Sequence, residues 1–372
     1  MRMLDYVMLT QDRLRQNVEH AHQLVEALVG VVSCTPCSAL RLVASGSSRH
    51  AALCARHFME DMLGKQVLVV TPEAFITHEH QFPTDAYTLV ISQSGFSTNS
   101  IAALDFMRSR GESPCVLTAN AAAPITQHAD AVFDFGVGAE SVDFVTMGVQ
   151  ALMVFLMLFA LFLGHKSRLI TGQRMERELK NLREVIDGYS SAVLASKQFA
   201  QDERLGIARH APVCFIGNGS CYGVAQEGAL KFNECLKTPS MYFEGEEFVH
   251  GPHMQLTPDS LIFIMDDPEG SPRLASLHNM FLQITSSAYF ITGHPSGGSC
   301  ELAVPAVPNP HMAAIPSLAA IQYLAAQKME ELERREMHPY VRALREEIGS
   351  KAHGYDEAIN KLEQAARVEF GM

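Results

Sequence analysis

Glu227, Lys231 and Glu234 fall at i, i+4 and i+7 within Gln226–Glu234 (QEGALKFNE). A helix through this segment therefore carries two carboxylates and an ammonium on one face. Such a stripe can be an ordinary solvated row of ion pairs. The rest of the segment is apolar, through Ala225, Ala229, Leu230 and Phe232, so the same face could instead border a cleft. Further along, His250 stands in Val249-His250-Gly251-Pro252, a glycine- and proline-bounded turn that can present a titratable imidazole. A positioned glutamate with a histidine is the usual equipment for moving protons beside a carbonyl.

A second kind of chemistry is suggested by two hydroxyl-rich turns. One is Ala44-Ser45-Gly46-Ser47-Ser48; the other is Ser92-Gln93-Ser94-Gly95-Phe96-Ser97-Thr98. Each follows a short apolar run and leads into a helical pattern, whose first backbone N–H groups are unpaired and attract anions. Hydroxyls donating around one point make a phosphate site without a lysine, suited to a phosphate used as a handle. Serine and threonine at helix starts can also be plain N-caps. Two such turns, on strands that could be neighbours, favour the phosphate reading. Neither fits the GxxxxGK[ST] loop of nucleotide triphosphate sites.

The elements that must position these residues alternate. Leu40–Ala44, Val67–Thr71, Thr88–Ser92, Cys115–Thr118 and Ala131–Phe135 read as strands, with helices at Ser48–Leu63 and Ser97–Arg110 between them. That alternation implies βαβ units and a mostly parallel sheet. Ser167–Gln201 is charged and helical, with the character of a connector. The pattern then restarts with a strand at Pro212–Gly217, a helix through Glu234, and strands at Leu261–Met265 and Ser287–Ile291. At an offset near 173 residues Gly46-Ser47-Ser48 falls on Gly219-Ser220-Cys221, so one fold is expected twice. In the second copy the place of the phosphate turn reads Met265-Asp266-Asp267-Pro268, whose carboxylates would repel phosphate. One phosphate site is expected, in the N-terminal lobe.

Composition removes other classes. With 29 Lys+Arg against 41 Asp+Glu and a net charge of -12 over 372 residues, no nucleic-acid groove is expected. The N-terminus shows no small-residue cleavage site, so it is not a signal peptide; a cytoplasmic setting and free thiols follow. Cys34 and Cys37 form one CxxC without a second pair, and His78-Glu79-His80 lacks an i, i+4 histidine pair and reads as a surface loop. No metal is expected. The run Ala151–Leu163 (ALMVFLMLFALFL) has no polar residue, but a membrane span needs about 20 residues. A helix apolar all round and this short is expected to be buried by protein rather than lipid.

At these residues the sequence resembles the double-SIS (sugar isomerase) family, in particular the isomerase half of glucosamine-6-phosphate synthase and stand-alone phosphosugar isomerases and ketosamine-6-phosphate deglycases. The resemblance runs from about Leu40 to Tyr340. Ser92-Gln93-Ser94-Gly95 matches the family's SQSG[ET] phosphate motif, Glu227–Glu234 its EGALKxKE, and Glu246–Pro252 the outer positions of its GE(L)KHGP. The resemblance implies an α/β fold of two similar SIS lobes, each a mostly parallel sheet flanked by helices in an αβα sandwich. It places an N-terminal helical segment at 1–39, a phosphate-binding lobe at 40–166, a connector at 167–204, a Glu/His-bearing lobe at 205–350, and a C-terminal helix and tail at 351–372.

Carried over residue by residue, Ser47, Ser48, Ser92, Gln93, Ser94 and Ser97 would hold a sugar phosphate, with Ser97 in place of the usual threonine. Glu234 would shuttle a proton between C1 and C2 of the open-chain sugar, and Lys231 would balance charge beside it. His250 would help open the ring and would act in the neighbouring subunit's site, which requires a homodimer. Enolisation with a glutamate base needs no cofactor. Departures point away from an amidotransferase: there is no N-terminal cysteine, the NLAKSVTVE tail is missing, Phe96 replaces a glutamate and Met147 a lysine. The implied activity is proton transfer on a sugar or amino-sugar 6-phosphate, as a deglycase, deaminase or aldose-ketose isomerase. The rival is a non-catalytic sugar-phosphate sensor, which would not need both Glu234 and His250.

Overall fold

A computed structural model describes residues 1–141, 144–201, 211–266, 272–298, 300–334 and 339–371. The chain divides into two compact units. Unit 1 comprises Met1–Arg2, Asp12–Leu179 and Met337–Met372, and unit 2 comprises Met3–Gln11 and Lys180–Glu336. The sequence sets 351–372 apart and ends the second lobe at 350; the described residues from Pro339 onward fall in unit 1. The expected lobe boundary at 204/205 lies outside the described residues.

In chain order the helices and strands begin with α1 (Met3–Glu19), α2 (Ala21–Ser33), β1 (Ala39–Val43), α3 (Gly46–Leu63), β2 (Gln66–Val70) and the short α4 (Pro72–Ala74). Then come β3 (Tyr87–Ile91), α5 (Thr98–Ser109), β4 (Cys115–Leu117), β5 (Ala131–Phe133) and α6 (Met147–Lys166). The expected connector is two helices, α7 (Gly172–Asp187) and α8 (Tyr189–Ala200), broken at Gly188. The second half holds β6 (Val213–Ile216), α9 (Gly219–Lys231), β7 (Ser240–Phe243), α10 (Gly245–Val249), β8 (Leu261–Met265) and α11 (Pro272–Phe281). It continues with β9 (Ala288–Thr292), β10 (Glu301–Ala303) and α12 (Ala314–Glu331). After these come α13 (Pro339–Ile348) and α14 (Tyr355–Glu369).

Among the described residues the strands form two parallel sheets of five. Unit 1 has the order β2-β1-β3-β4-β5, and unit 2 the order β10-β9-β8-β6-β7. Read from β7, the second order repeats the first, strand for strand. Both are doubly wound, with the reversal of strand order between the first and third strand of each copy, where open α/β sheets bind ligands. The central strands β1, β6, β8 and β9 are buried along their whole length, as expected where both faces are covered by helices. The repeat extends to the turns: Gly46 and Gly219 open α3 and α9 with the same φ of 53°, a left-handed conformation that glycine adopts without strain.

The apolar run lies in α6, a 20-residue helix long enough to cross a bilayer, whose most apolar 18-residue window has a mean hydropathy of 2.3. Its most apolar window is 94% buried inside the protein. Within unit 1 it packs against α3 and α2. Gly164 lets it come so close to α3 that a Cβ would stand 2.6 Å from the Met62 carbonyl oxygen. His78 and Glu79 belong to a π-helical turn, Phe75–Glu79, rather than to a loop. The turn is closed by His80, whose Nδ1 is 3.0 Å or less from the Phe75 carbonyl oxygen (2.9 Å). All eight cysteines are free.

Candidate active site

In unit 1 the two hydroxyl turns end strands β1 and β3, which are hydrogen-bonded neighbours. Asn99 Nδ2 donates to Ser45 Oγ at 2.9 Å and so ties the start of α5 to the N-cap of α3. Ser47 and Ser48 occupy the first turn of α3. The second turn is fixed from below by the chain after β4. The Gln93 carbonyl accepts from Ala119 N (3.1 Å) and Thr118 Oγ1 (3.2 Å), and the Gly95 carbonyl accepts from Ile125 N (3.1 Å). Gly95 has φ 71°, and a Cβ there would come 2.4 Å from that of Ala123, so the motif's glycine is required twice over. Ser94 Oγ accepts from Phe96 N at 3.3 Å. Ser92 is only 4% exposed, and its buried hydroxyl has no hydrogen-bond partner among the described residues. A buried hydroxyl without a partner is costly, and a ligand oxygen would relieve it.

The sequence reading missed Glu140. Its buried carboxylate accepts from Thr146 N and Met147 N (both 2.8 Å) and from Gly148 N (2.9 Å), the unpaired donors at the start of α6. Gln93 Nε2 donates to the same carboxylate at 2.7 Å. Burial pushes the Glu140 carboxyl above its usual range, against the pull of the four donors. Gly148 leaves the space for this: a Cβ there would overlap the Gln93 side chain. The loop before Glu140 is held by the last helix, with Ala139 N donating to Glu369 at 3.1 Å and Glu369 paired with Arg13. Met147 is fully buried, so no side-chain cation enters at that position.

Phe96 is buried and stands edge-on to Tyr355 of α14, with ring centroids 5.6 Å apart. Ser97 is the N-cap of α5 but makes no side-chain cap bond. Its hydroxyl instead accepts from Lys351 Nζ at 3.3 Å. A lysine-free phosphate turn was expected from sequence; the structure sets a lysine beside it.

In unit 2, α9 runs close over β6 because Gly228 has no side chain; a Cβ would lie 2.6 Å from the Phe215 ring. After Lys231 the helix widens into a π-turn, Phe232–Leu236, ended by Lys237 at φ 54°. Phe232 anchors that turn in the core, edge-on to Phe215 at 4.9 Å, and Asn233 exchanges two hydrogen bonds with Ser240. The widening carries Glu234 back over Lys231. Lys231 Nζ lies 2.7 Å from Glu234 Oε2 and 3.3 Å from Glu227 Oε1. Lys231 and Glu227 are sealed, at 1% and 0% side-chain exposure, while Glu234 keeps 32%. The stripe is therefore not a solvated face. Burial works against the Lys231 charge, but the two carboxylates outweigh it and hold the ammonium above the usual lysine range. The arrangement is a fixed cation behind one accessible carboxylate.

His250 ends α10 and is exposed, with its backbone N–H on the Glu247 carbonyl at 3.2 Å. No hydrogen bond or ion pair joins it to Glu234 among the described residues. It lies within electrostatic reach of Glu246, which is held below the usual carboxylate range by its bond to Arg273. Glu244 caps α10 by accepting from Glu246 N and Glu247 N. Asn218 Oδ1 takes the Gly245 N–H at 2.9 Å, so the β6–α9 turn fixes where α10 starts. In this copy Asp266 accepts from Thr292 Oγ1; Asp267 and Pro268 lie outside the described residues.

The SIS domain family model matches residues 36–161 and 207–326. A Symbiobacterium thermophilum glutamine–fructose-6-phosphate aminotransferase (isomerizing) is 26% identical over 325 residues, 84% of this chain and 52% of that protein. The chain spans about a third to a half of the length of the curated relatives it matches. Among solved structures, a Clostridium difficile 630 protein named as a candidate phosphosugar isomerase superposes with a TM-score of 0.82 at 22% identity, over 91% of this chain and 96% of that one. Tagatose-6-phosphate ketose/aldose isomerase from Escherichia coli gives 0.72 at 17% identity, over 90% and 96%.

Proposed function

The chain belongs to the SIS domain family, and on that premise we propose that it is an enzyme that moves a proton between C1 and C2 of an open-chain sugar or amino-sugar 6-phosphate. The observation that carries this reading is the ion triad of unit 2. Lys231 is locked as an ammonium between two carboxylates, and only Glu234 is exposed to meet a substrate. A base anchored by a buried cation is held in place and aimed, which is what carbon deprotonation beside a carbonyl demands. The serine turns of unit 1, by themselves, are read as a phosphate site, on the Ser92 hydroxyl that has no hydrogen-bond partner among the described residues and on the Gln93–Glu140 bond.

On a ketosamine 6-phosphate, Glu234 takes a C1 proton. The C–H electron pair forms the C1=C2 bond while the C2 oxygen gains a proton, giving an enaminol. Return of a proton to C2 leaves an imine at C1, which water hydrolyses to an aldose 6-phosphate and the free amine. With a hydroxyl at C1 the same two transfers interconvert ketose and aldose. Deglycase, deaminase and isomerase outcomes thus share one proton shuttle. His250, exposed and without a hydrogen bond or ion pair to Glu234 among the described residues, is assigned in this proposal to ring opening in a partner subunit's site, with a homodimer as the active form. The free thiols suit a reducing, cytoplasmic compartment.

Purified protein incubated with a panel of 6-phosphorylated ketosamines, amino sugars and hexoses, followed by NMR, tests the reading. Product from at least one class supports it. Binding without turnover across the panel would make the protein a sensor and overturn it.

A further inference from the structure

A short strap lies across the phosphate turn of unit 1. Gly349 (φ 62°) follows the end of α13 and Gly354 (φ 84°) precedes α14, so the chain reverses at both ends of residues 350–353. The strap pairs with the turn in antiparallel fashion. Ala352 N donates to the Phe96 carbonyl at 2.8 Å, Thr98 N to the Ser350 carbonyl at 3.3 Å, and Thr98 Oγ1 to the Gly349 carbonyl at 2.9 Å. Ala352, Tyr355 and Ala358 pack against the apolar cluster that contains Phe96. Directly opposite Ser97 in this pairing is Lys351. Its ammonium reaches Ser97 Oγ at 3.3 Å and lies 5.0 Å from the Tyr355 ring centroid.

We propose that Lys351 is the cation of the phosphate site and contacts the substrate's phosphomonoester directly. The proposal rests on the phosphosugar reading above and adds a residue to it. A phosphate dianion met by hydroxyls and N–H groups alone is left with much of its charge unbalanced, and a compact ammonium at the rim supplies the balance. Ser97 carries the geometry. Its oxygen accepts from Lys351 and caps nothing, so its own proton is free to point to a ligand. The buried, unpartnered Ser92 hydroxyl is an independent sign that the turn receives an acceptor from outside the chain.

The test titrates the full chain with inorganic phosphate, fructose 6-phosphate and fructose by calorimetry, and follows melting with and without phosphate. Lys351→Met is expected to weaken both phosphorylated probes by about tenfold or more, the scale of one charge-assisted contact. It should leave fructose and the unliganded melting temperature unchanged while shrinking the phosphate-induced rise. Lys351→Arg should restore most of the affinity. Should Lys351→Met melt early on its own, the comparison of Lys351→Arg with Lys351→Gln decides, and equal phosphate affinity in that pair overturns the proposal. Wild-type affinity in Lys351→Met, with Ser94→Ala impaired, means Lys351 only fastens the strap. Wild-type protein that binds neither phosphorylated probe defeats the phosphosugar reading itself.

Discussion

Lys231 Nζ lies 2.7 Å from Glu234 Oε2, joining a fully buried ammonium to a carboxylate that is one-third exposed. The second partner, Glu227, is as buried as the lysine. The three residues are therefore unequal. Glu227 and Lys231 form a buried ion pair that stabilises only while both members are present, and Glu234 is the member available to a substrate.

That inequality predicts opposite phenotypes. Lys231→Met removes the cation from beside the buried Glu227 carboxylate, which should destabilise unit 2 by about 3–5 kcal/mol. Glu234→Gln, partly exposed and keeping a hydrogen-bond acceptor for Lys231, should cost about 1 kcal/mol or less. Urea denaturation of the two variants separates them. Equal losses would mean that the exposed carboxylate is structural.

Glu140 should act on phosphate binding through Gln93. Its carboxylate takes three helix N-terminal N–H groups and the Gln93 amide. Glu140→Gln turns an NH2 toward donors and should cost about 1–3 kcal/mol of stability. Gly148→Ala is the milder probe, because the three atoms nearest the new methyl group all belong to the flexible end of Gln93. We expect it to melt close to wild type yet bind inorganic phosphate about tenfold more weakly, the value of one hydrogen bond to a charged group. Unchanged phosphate affinity in Gly148→Ala would detach Gln93 from the site.

Stability should also fall on mild acidification, through His278. Burial depresses its pKa, although Nε2 lies 3.1 Å from the Ala288 carbonyl, a bond that favours the charged form. The folded state keeps the ring neutral where the unfolded chain, with a pKa near 6.5, takes up a proton. The contribution is thus present above about pH 6.5 and is lost as pH falls below it toward the depressed folded value. Melting temperatures between pH 7 and 5 should decline for wild type and decline less for His278→Phe, whose ring can keep the stacking on Phe290. Parallel slopes would assign the pH dependence elsewhere.

Much of this was legible because the central strands are continuous apolar runs. Leu261–Met265 was bounded from sequence at the residues the sheet uses, and the duplication showed in the Gly46 and Gly219 turns. The edge strands of unit 2 were not. β7 is only half-buried and β10 has three residues, so neither shows a hydrophobic run against which pairing could be read. In the site, the serine turns and Glu234 stand in local motifs. Glu140 and Lys351 do not, because their roles come from contacts 47 and 254 residues away in the chain. The helical period placed Glu227, Lys231 and Glu234 on one face, and the structure joins them there. What it could not show is their burial, which seals Lys231 and Glu227 and leaves Glu234 partly exposed.

Glu234 is proposed to transfer a proton at C1 or C2 of a phosphorylated sugar. The most direct measurement is proton NMR of deuterium uptake at those carbons when the protein is incubated in D2O with fructose 6-phosphate, glucosamine 6-phosphate and a fructosamine 6-phosphate. Wild type should take up deuterium in at least one of them, and Glu234→Gln should lose about 100-fold or more of that rate, as for removal of a general base. Exchange by Glu234→Gln at the wild-type rate, or no exchange by wild type in any of the three, would contradict it.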